Sequence, residues 1–518
     1  MLRGLSDYWR LARTGVKLAS HDVILPAEYA SRMPLPARLF GQLLRAISGK
    51  PKGRQGERLA KALEELGPAY IKLGQFLATR PDVFGVETTT DLSRLKDKLP
   101  PFPPDKAKAQ LHAEFGAIAD TLFPPLSPAI AAASIAQVHK IETPEGTKAV
   151  KILRPGVEEQ IMQEMAAMRR AARTIESVDR ESRRMRPVDF VDTVAASMEK
   201  ELDLRLEAGG GDEFREIANE TDSFHVPEVD WERTGKTVLT TQWIDGIPLT
   251  DRARLDAHDF DRAETAMRVT QGFLTAAIHH GVFHADMHEG NIILSPDNRL
   301  YLIDFGIVGR IGLNERRFLA EILHGFIKRD YLRVAEVHFE AGYVPADRSV
   351  GDFAQALRSV GEPIHGKSAK EVSMGRLLLQ LLDFTHVFGM QMRPELILLQ
   401  KTMVQVEGVA RTLDPEHNIW DAAHPIVSSW IQKEFSPQGI AKVAGKTSRD
   451  MFVRAQRLPD IMDQVEGLIR SQSEASRNAD QHPLYAFMRT PLRTLAGLCL
   501  AVGLGVFGGM WLFDALIG

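Results

Sequence analysis

The sequence predicts an α+β protein of two lobes, a small β-rich lobe followed by a larger helical lobe. A helical extension precedes the lobes and a transmembrane helix follows them. Three observations carry this prediction: β-like stretches cluster in the first half of the chain, helical patterns dominate after residue 247, and an uncharged run begins at Thr494. The predicted segments are the extension at 1–105, the small lobe at 106–246, the large lobe at 247–430, a helical linker at 431–493 and the transmembrane helix at 494–517.

The composition is that of an ordinary globular protein and disfavours one class of function. Among 518 residues, 44% are hydrophobic and 25% are charged, and the net charge is −4. Nucleic-acid-binding domains are usually clearly basic, so no nucleic-acid partner is expected. Cys499 is the one cysteine, which rules out a disulfide within the chain and fits a reducing compartment.

The extension begins with a basic segment that lacks a long apolar core. Residues 1–20 therefore do not predict a cleaved signal peptide. A helix lying on a membrane surface and an ordinary surface helix both fit this segment. Helical patterns continue to about residue 105 and end at the proline-rich stretch Leu99–Asp105.

The small lobe contains two β-like stretches. The first runs from Ile135 to Leu153 with turn residues at Thr143–Gly146. The second, Thr237–Ile244, ends at the turn sequence DGIP. Between them, one long charged helical region is expected from about Val157 to Gly209.

The segment VFHADMHEGNIILSPDNRLYLIDFG, residues 282–306, carries polar residues at a spacing that suits phosphoryl transfer. His284, Asp286 and Asn291 fit the pattern H-x-D-x-x-x-x-N, and Asp304 opens a D-F-G sequence. The Asp286 carboxylate can accept a proton from an attacking hydroxyl group or orient a water molecule. Asn291 and Asp304 offer the oxygen ligands that Mg²⁺ prefers.

A lysine on the first β-like stretch completes this pattern. Lys151, in the sequence AVKI, would neutralise nucleotide phosphates with its ammonium group. Each motif is weak alone, but their order and spacing together predict a protein-kinase-like fold. The expected cofactors are ATP or ADP and Mg²⁺.

An alanine-rich segment, AAASIAQV at 131–138, replaces the glycine-rich phosphate loop of protein kinases. It lies thirteen residues before Lys151, which favours a phosphate loop over an alanine-rich helical turn. Alanine has less backbone freedom than glycine, so altered nucleotide handling is expected. The candidate nucleotide-binding residues, with two from the end of the second β-like stretch, are Ala131, Ala133, Ser134, Ala136, Val138, Gln242 and Trp243.

With these motifs, the sequence from about residue 55 onward resembles the UbiB family of atypical kinases, which support ubiquinone biosynthesis. Lys72, Gly74 and Gln75 match the family's KxGQ motif, and Glu201 and Asp203 match its ExD motif. The resemblance implies that the extension covers the site where a protein substrate would bind. It also implies that the two acids lie around the metal and the KxGQ segment.

Helical spacing assigns different partners to the acids of the expected helical region. Asp203 and Glu207 are four residues apart and would share a face, whereas Glu201 would point away from Asp203. Glu207 is therefore the candidate partner of Lys151, and Glu201 is expected to face the extension. The alternative for all three acids is a solvated helix face.

The chain departs from the family pattern in the catalytic loop. The family usually has HADPHPGN, and Met287 and Glu289 replace its two prolines. Each proline fixes a backbone angle, so a less stiff loop is expected. Some family members also end in two membrane spans, whereas this sequence has room for one.

The membrane prediction depends on twenty uncharged residues from Thr494 to Phe513, enough for a helix to cross a bilayer. The alternative is a buried core helix. Arg489 and Arg493 precede the segment, which predicts a catalytic domain on the cytoplasmic side of a bacterial inner membrane.

Small residues recur every four positions along this predicted span, at Gly497, Ala501, Gly505 and Gly509. Such spacing lets two helices approach closely, as in a homodimer or with another partner helix. The high glycine content of membrane helices in general is an equally good explanation.

The resemblance implies an ATP-binding membrane protein that assists ubiquinone biosynthesis, at ring hydroxylation or in the handling of lipid intermediates. Its partners would be membrane lipids, polyprenylphenol intermediates and the enzymes of ubiquinone biosynthesis. The hydroxylase activity itself is not expected, because the sequence has no dinucleotide fingerprint and no evident iron or flavin ligands.

ATP hydrolysis coupled to lipid handling is the leading hypothesis. Phosphorylation of other proteins is less expected, because the extension would block the peptide groove and no A-P-E sequence follows Gly306. Two alternatives are open. A small-molecule phosphotransferase of the aminoglycoside or choline kinase type would not explain KLGQ or the anchor, and a non-catalytic nucleotide-binding scaffold would not need the acidic residues.

Overall fold

The computed structural model describes residues 2–23, 53–78, 85–92, 95, 99–178, 186–221, 223–364, 387–390, 394–434 and 436. The predicted transmembrane segment 494–517, with its small residues, lies outside these ranges, as does almost all of the predicted linker. Within the described ranges, no helix is both long and apolar enough to span a bilayer. The boundaries of the five predicted segments stay predictions.

The described part of the extension is helical, as predicted, with helices α1 Leu2–Ser20, α2 Gln55–Leu66, α3 Pro68–Leu77 and α4 Val86–Leu92. Gly67 turns the chain between α2 and α3 at a φ of 113°, a backbone angle that glycine adopts without strain. Pro68 follows at the first position of α3, where its missing N–H removes no helical hydrogen bond.

The small lobe is built on a four-stranded antiparallel sheet in the order β1-β2-β3-β4. Its strands are β1 Ala131–Ala132, β2 Ala136–Thr143, β3 Gly146–Leu153 and β4 Val238–Gln242. Both predicted β-like stretches are therefore confirmed as strands, and the predicted turn joins β2 to β3, with Thr143 opposite Gly146. One face of the sheet packs against two helices, α5 Pro104–Phe115 and α6 Ala119–Leu122.

The helical region expected from about Val157 to Gly209 is confirmed, and the described residues divide it into three helices. These are α7 Val157–Val178, α8 Pro187–Glu201 and α9 Leu204–Thr221. Pro187 begins α8, because a proline is tolerated in the first turn but breaks a helix interior. Leu202 and Asp203 separate α8 from α9, so the two acids of the ExD motif do not share one helix.

Helix α9 continues past Gly209, where the helical region was expected to end, and it contains two further glycines. A Cβ on Gly210 would lie 3.1 Å from Val308 Cγ2, and one on Gly211 would lie 3.2 Å from Phe305 Cδ2. These glycines therefore let α9 pack closely against the D-F-G segment, and that packing maintains the helix despite their low helical propensity.

The extension shares a hydrophobic core with the small lobe. Buried residues of α1 to α4 pack together with those of α7 and α8, and with Ala136, Leu153 and Leu204. The extension is thus packed onto the small lobe through its apolar faces, as burial of amphipathic helices requires.

The large lobe is mainly helical. Its helices are α10 Arg252–Ala257, α11 Arg262–Thr275, α12 Leu313–Lys328, α13 Tyr331–Glu340, α14 Val350–Gly361, α15 Pro394–Leu413 and α16 Ile419–Glu434. Its short strands are β5 Ile247–Pro248, β6 Val282–His284, β7 Ile292–Leu294, β8 Leu300–Leu302 and β9 Val308–Arg310. The strands form two small sheets, β5-β7-β8 and β6-β9.

Strand pairing in the large lobe brings two loops together. A π-helical turn, Ala276–His280, ends at Gly281, whose φ of 75° directs the chain into β6. His284 pairs with Val308, and Ile292 pairs with Leu302. The loop from residue 285 to 291 and the loop from 303 to 307 both lie between these two pairings, so they run side by side.

Candidate functional site

Two backbone hydrogen bonds join the loops that carry the predicted catalytic and metal-binding residues. The Ile303 N–H donates to the Asn291 carbonyl oxygen at 3.0 Å, and the Ala285 N–H donates to the Ile307 carbonyl oxygen at 3.0 Å. Asp286, Asn291 and Asp304 are thereby brought to one region of the large lobe. Their chemical roles stay predictions.

Asp304 has an unusual backbone conformation at this site. Its φ of 65° lies in the left-handed region that few residues other than glycine adopt. The Gly306 N–H donates to Asp304 Oδ1 at 3.2 Å, and Lys151 Nζ lies 3.4 Å from Asp304 Oδ2. The charge of Lys151 outweighs burial and lowers the pKa of Asp304 to about 2, so this carboxylate is ionised at neutral pH.

Lys151 on β3 also contacts Glu207 on α9, and the predicted ion pair is present. Lys151 Nζ donates to Glu207 Oε1 at 2.7 Å and to Oε2 at 2.9 Å. Both side chains are largely buried. Burial alone would lower the pKa of Lys151, but the charges of Asp304 and Glu207 raise it above its ordinary value.

Burial has the opposite effect on the pKa of Glu207. It raises this pKa to about 7, although the charge of Lys151 lowers it. The two short hydrogen bonds from Lys151 are those of a charged pair, in which Glu207 is the carboxylate. Lys151 is thus held between two carboxylates, with its ammonium group directed toward Asp304.

His284 contacts both loops. It is fully buried, and its Nδ1 accepts a hydrogen bond from the Asp286 N–H at 3.1 Å. Its Nε2 lies 3.4 Å from the Ile303 carbonyl oxygen, and its ring lies 5.1 Å from that of Phe305. Burial lowers the pKa of His284, so the ring is neutral at pH 7 and can accept at one nitrogen and donate at the other.

The Asp286 carboxylate has partners that sequence reasoning missed. Lys401 Nζ lies 3.2 Å from Asp286 Oδ1, and Gln405 Nε2 donates to the same oxygen at 3.1 Å. Burial raises the pKa of Asp286, but Lys401, Gln405 and His288 together hold it below its ordinary value. The sequence signal was weak: Lys401 and Gln405 lie four residues apart in the mainly apolar stretch ILLQKTMVQV, which also contains Gln400 and Thr402.

The oxygen atoms at the site fit a Mg²⁺ ion. The Asn291 Nδ2 donates to the Asp286 carbonyl oxygen at 3.0 Å, which directs the amide oxygen of Asn291 elsewhere. The amide oxygen of Asn291 and the half-exposed carboxylate of Asp304 are two hard oxygen ligands of the kind that Mg²⁺ prefers. Within the described residues, no group of three or more His, Cys, Asp or Glu residues is arranged to hold a metal ion.

The alanine-rich segment forms a β-hairpin, so the alternative of a helical turn is wrong. Ala131 lies in β1 and Ala136 begins β2, and the Ala133 N–H donates to the Ala136 carbonyl oxygen at 2.8 Å. Ser134 is fully buried in the turn. Val138 pairs directly with Lys151 across the sheet, which sets the hairpin beside the predicted phosphate-binding lysine.

Arg154 holds the hairpin in place. Its guanidinium group donates to the Ala133 carbonyl oxygen through Nε at 3.1 Å and Nη2 at 2.8 Å. Nη2 also donates to the Pro100 carbonyl oxygen at 2.9 Å. The turn is therefore restrained by a charged side chain in addition to its alanine residues.

Gln242, the last residue of β4, and Trp243, which follows it, lie nearer the β2–β3 turn than Lys151 does. Gln242 pairs with Lys148, and the Trp243 N–H donates to the Thr147 carbonyl oxygen at 3.0 Å. The Trp243 indole N–H donates to Asp245 Oδ1 at 2.8 Å. They occupy the connection between the lobes, and their role in nucleotide binding stays a prediction.

The KxGQ segment lies in α3 and contacts the small lobe. Lys72 Nζ lies 2.7 Å from Glu201 Oε2, so Glu201 does face the extension. A Cβ on Gly74 would lie 2.4 Å from Leu95 Cδ1 and 2.7 Å from Leu63 Cδ1, which explains glycine at this position. Gln75 follows in the same helix and is half-buried.

The expectation that Asp203 and Glu207 share a helix face is wrong. Asp203 lies before the first residue of α9, and its carboxylate accepts hydrogen bonds from Arg205 Nε at 2.8 Å and Nη2 at 2.6 Å. These hydrogen bonds lower the pKa of Asp203. Asp203 is therefore paired with Arg205, apart from the Lys151–Glu207 pair.

Two family descriptions match the chain. The ABC1 atypical kinase-like domain matches residues 94–338, and the UbiB helical domain matches residues 357–418. The second range includes Lys401 and Gln405.

Related proteins extend the match over most of the chain. The probable protein kinase UbiB of Marinobacter nauticus is 34% identical over 513 residues, covering 95% of this chain and 93% of that protein. The probable protein kinase UbiB of Aeromonas hydrophila is 36% identical over 468 residues, covering 89% of this chain and 85% of that protein.

A solved structure supports the fold. The structure of Rv3197 with erythromycin, from Mycobacterium tuberculosis, matches 76% of this chain and 98% of that chain, with a TM-score of 0.50 and 24% identity. At that identity the likeness concerns the kinase-like fold alone. Taken with the two family matches and the relatives, it leads to one assignment: the chain belongs to the UbiB family of ABC1 atypical kinase-like proteins.

Proposed function

We propose that this protein is an atypical kinase that hydrolyses ATP with Mg²⁺ in support of ubiquinone biosynthesis. Membership in the UbiB family carries the role in ubiquinone biosynthesis. One observation carries the chemistry: Lys151, paired with Glu207, faces Asp304 at 3.4 Å. A lysine ammonium and a carboxylate at this distance are suited to a nucleotide phosphate and its metal ion.

Each residue of the site has a role in this proposal. Lys151 neutralises the nucleotide phosphates, and Glu207 orients Lys151. Asn291 and Asp304 would hold Mg²⁺, which would neutralise further charge on the phosphates. His284 sets the backbone of Asp286 through its 3.1 Å hydrogen bond.

In the hydrolytic step, Asp286 orients a water molecule toward the γ-phosphorus. The water oxygen forms a bond to phosphorus while the bond to the β–γ bridging oxygen breaks. The products are ADP and inorganic phosphate, and the proton of the water leaves through Asp286 or with the phosphate. No oxidant or reductant is required, which separates this activity from ring hydroxylation itself.

The packing of the extension supports hydrolysis over the phosphorylation of other proteins. Its KxGQ helix is attached to the small lobe through the Lys72–Glu201 pair, and its helices share the small-lobe core. A bulky acceptor would have to displace these contacts. We propose that the responsive ligands are polyprenylphenol intermediates and membrane lipids, and that residues 494–517 anchor the protein in the bacterial inner membrane.

Phosphate release from Mg–ATP by the full chain in anionic lipid nanodiscs tests this proposal. The assay is run with and without a polyprenylphenol mimic, for the wild type, for Asp304→Asn and for the control Asp297→Asn. Asp297 carries the same charge and bonds with Ser295 and Arg299, outside the site. We expect lipid and phenol to raise turnover, and Asp304→Asn to lower it by about 100-fold or more.

The outcomes separate three functions. Turnover that the phenol increases and Asp304→Asn removes supports an ATPase coupled to lipid handling. Tight nucleotide binding without turnover would favour a scaffold. Transfer of phosphate to a small hydroxylated compound would favour a phosphotransferase.

A further inference from the structure

One face of helix α15 runs along the catalytic loop. Lys401 and Gln405 are four residues apart, so both lie on this face and both contact Asp286 Oδ1. Thr412, seven residues farther along the same face, donates to Glu289 Oε1 at 2.9 Å. The helix thus contacts the loop at two acidic residues, one of which replaces a proline of the family pattern.

The cation beside Asp286 comes from outside the catalytic loop. Residues 284–291 read HADMHEGN and contain neither lysine nor arginine. His288 Nε2 lies 3.6 Å from Asp286 Oδ2. Lys401 therefore brings a full positive charge to Asp286 from a helix outside the loop.

The position of Lys401 is fixed by packing. Val406 and Val409, on the same helix, are buried in the core of the large lobe together with Phe273 of α11. Thr402 is fully buried as well. The backbone of α15 is therefore held against the lobe, while the side chains of Lys401 and Asp286 are about one-third exposed and can be reached by a substrate.

The two donors use only one oxygen of the carboxylate. Lys401 and Gln405 both contact Oδ1. His288 Nε2 lies 3.6 Å from Oδ2, beyond hydrogen-bond distance, so Oδ2 can face an attacking hydroxyl group or water. Phosphoryl transfer places negative charge close to this carboxylate, and a fixed cation there would stabilise it.

We propose that Lys401 and Gln405 are positioning residues for phosphoryl transfer: they hold Oδ1 of Asp286 and so orient Oδ2 toward the acceptor. The inference rests on the proposed function, because the oriented carboxylate acts on the water that attacks ATP. It also gives the helical domain a direct part in the chemistry.

The test compares Lys401→Met and Lys401→Arg with the wild type, using the full chain in nanodiscs and Mg–ATP. The control is Lys433→Met, which removes the same charge from an exposed position in the last turn of α16. We expect Lys401→Met to lower kcat about tenfold or more with little change in KM. Lys401→Arg should recover most of kcat.

Equal kcat values for Lys401→Met and Lys433→Met would overturn the inference. A wild-type protein that releases no phosphate would instead count against the proposed function. The inference is then decided by the free energies of unfolding of Lys401→Met, Asp286→Asn and the double variant. Non-additive changes support the coupling of Lys401 to Asp286, and additive changes overturn it.

Discussion

Lys72 of the extension and Glu201 at the end of α8 form an ion pair, with Nζ and Oε2 2.7 Å apart. Their side chains are only 14% and 10% exposed, so water screens the pair weakly. The charge of Lys72 also reaches Asp304, whose pKa it lowers after the larger effect of Lys151. The extension is thereby linked to the proposed phosphate site through charge as well as packing.

Removing either partner of this pair should destabilise the protein. Lys72→Met leaves the Glu201 carboxylate largely buried without its cation, and we expect the free energy of unfolding to fall by about 3 kcal/mol. The double variant Lys72→Met, Glu201→Gln should recover part of that loss, because no charge is then left unpaired. Denaturant unfolding of the full chain measures both changes. A double variant as unstable as the sum of the single variants would contradict the pairing.

Lys151 should determine nucleotide affinity, whereas a neighbouring lysine on the same strand should not. Lys151→Met is expected to weaken Mg–ATP binding about tenfold or more, because it removes the cation held beside Asp304. Glu207→Gln should have a smaller effect, since Asp304 still attracts Lys151. Calorimetric titration gives the affinities. Lys148→Met is the control, because Lys148 lies 3.6 Å from Asp230 Oδ2; equal losses for the two lysine variants would refute the assignment.

The glycines of α9 should respond differently to alanine. A Cβ on Gly209 meets no atom within 4 Å, so Gly209→Ala should raise the free energy of unfolding by about 0.5–1 kcal/mol through higher helical propensity. A Cβ on Gly210 meets Val308 Cγ2 at 3.1 Å, so Gly210→Ala should lose this gain and lower ATP turnover by shifting the D-F-G segment. Denaturation and phosphate-release assays on both variants check this. Matching results for the two substitutions would show that contact with the D-F-G segment is unimportant.

The free energy of unfolding should fall as the pH drops through 6.5, the ordinary pKa of histidine, partly because of His417. This residue is 3% exposed, and its Nε2 lies 2.9 Å from Thr270 Oγ1. Burial lowers the pKa of His417 from 6.5, so below that pH the unfolded chain binds more protons than the folded protein. The free energy of unfolding is therefore expected to decrease from about pH 7 toward pH 5.

His417→Gln isolates this contribution from that of other buried histidines. Glutamine can still hydrogen-bond to Thr270 but does not titrate, so the variant should lose less stability over the same pH range. Urea denaturation of both proteins at pH 7 and pH 5 provides the comparison. An unchanged difference between the two pH values would exclude His417 as a contributor.

The strands and motifs of the small lobe could be predicted from the sequence because their signals are local. Alternating side chains and the turn at Thr143–Gly146 specify the β2–β3 hairpin within twenty residues. The order of Lys151, Asp286 and Asp304 can also be read from the sequence alone, and it indicates a kinase-like arrangement of two lobes. The family match confirms that fold.

The acids near residue 203 could be predicted only in part. Helical spacing correctly paired Glu207 with Lys151 and turned Glu201 toward the extension, but it assumed a continuous helix. Asp203 instead accepts hydrogen bonds from Arg205 before α9 begins. A short break between two helices has a weak local signal, since side-chain hydrogen bonds to nearby groups compete with the helix only in a particular tertiary setting.

The sequence by itself determined the α+β class, the strands of the small lobe and the residue types needed for phosphoryl transfer, because each depends on neighbours along the chain. Only the tertiary structure decided the side-chain partners of Asp286 and the contact of α9 with the D-F-G segment. Lys401 reaches Asp286 across 115 residues, and the Gly210 and Gly211 backbone carries α9 past Phe305. Such contacts arise when distant segments pack into one core, and packing leaves no periodic pattern in the sequence that would identify the partner in advance.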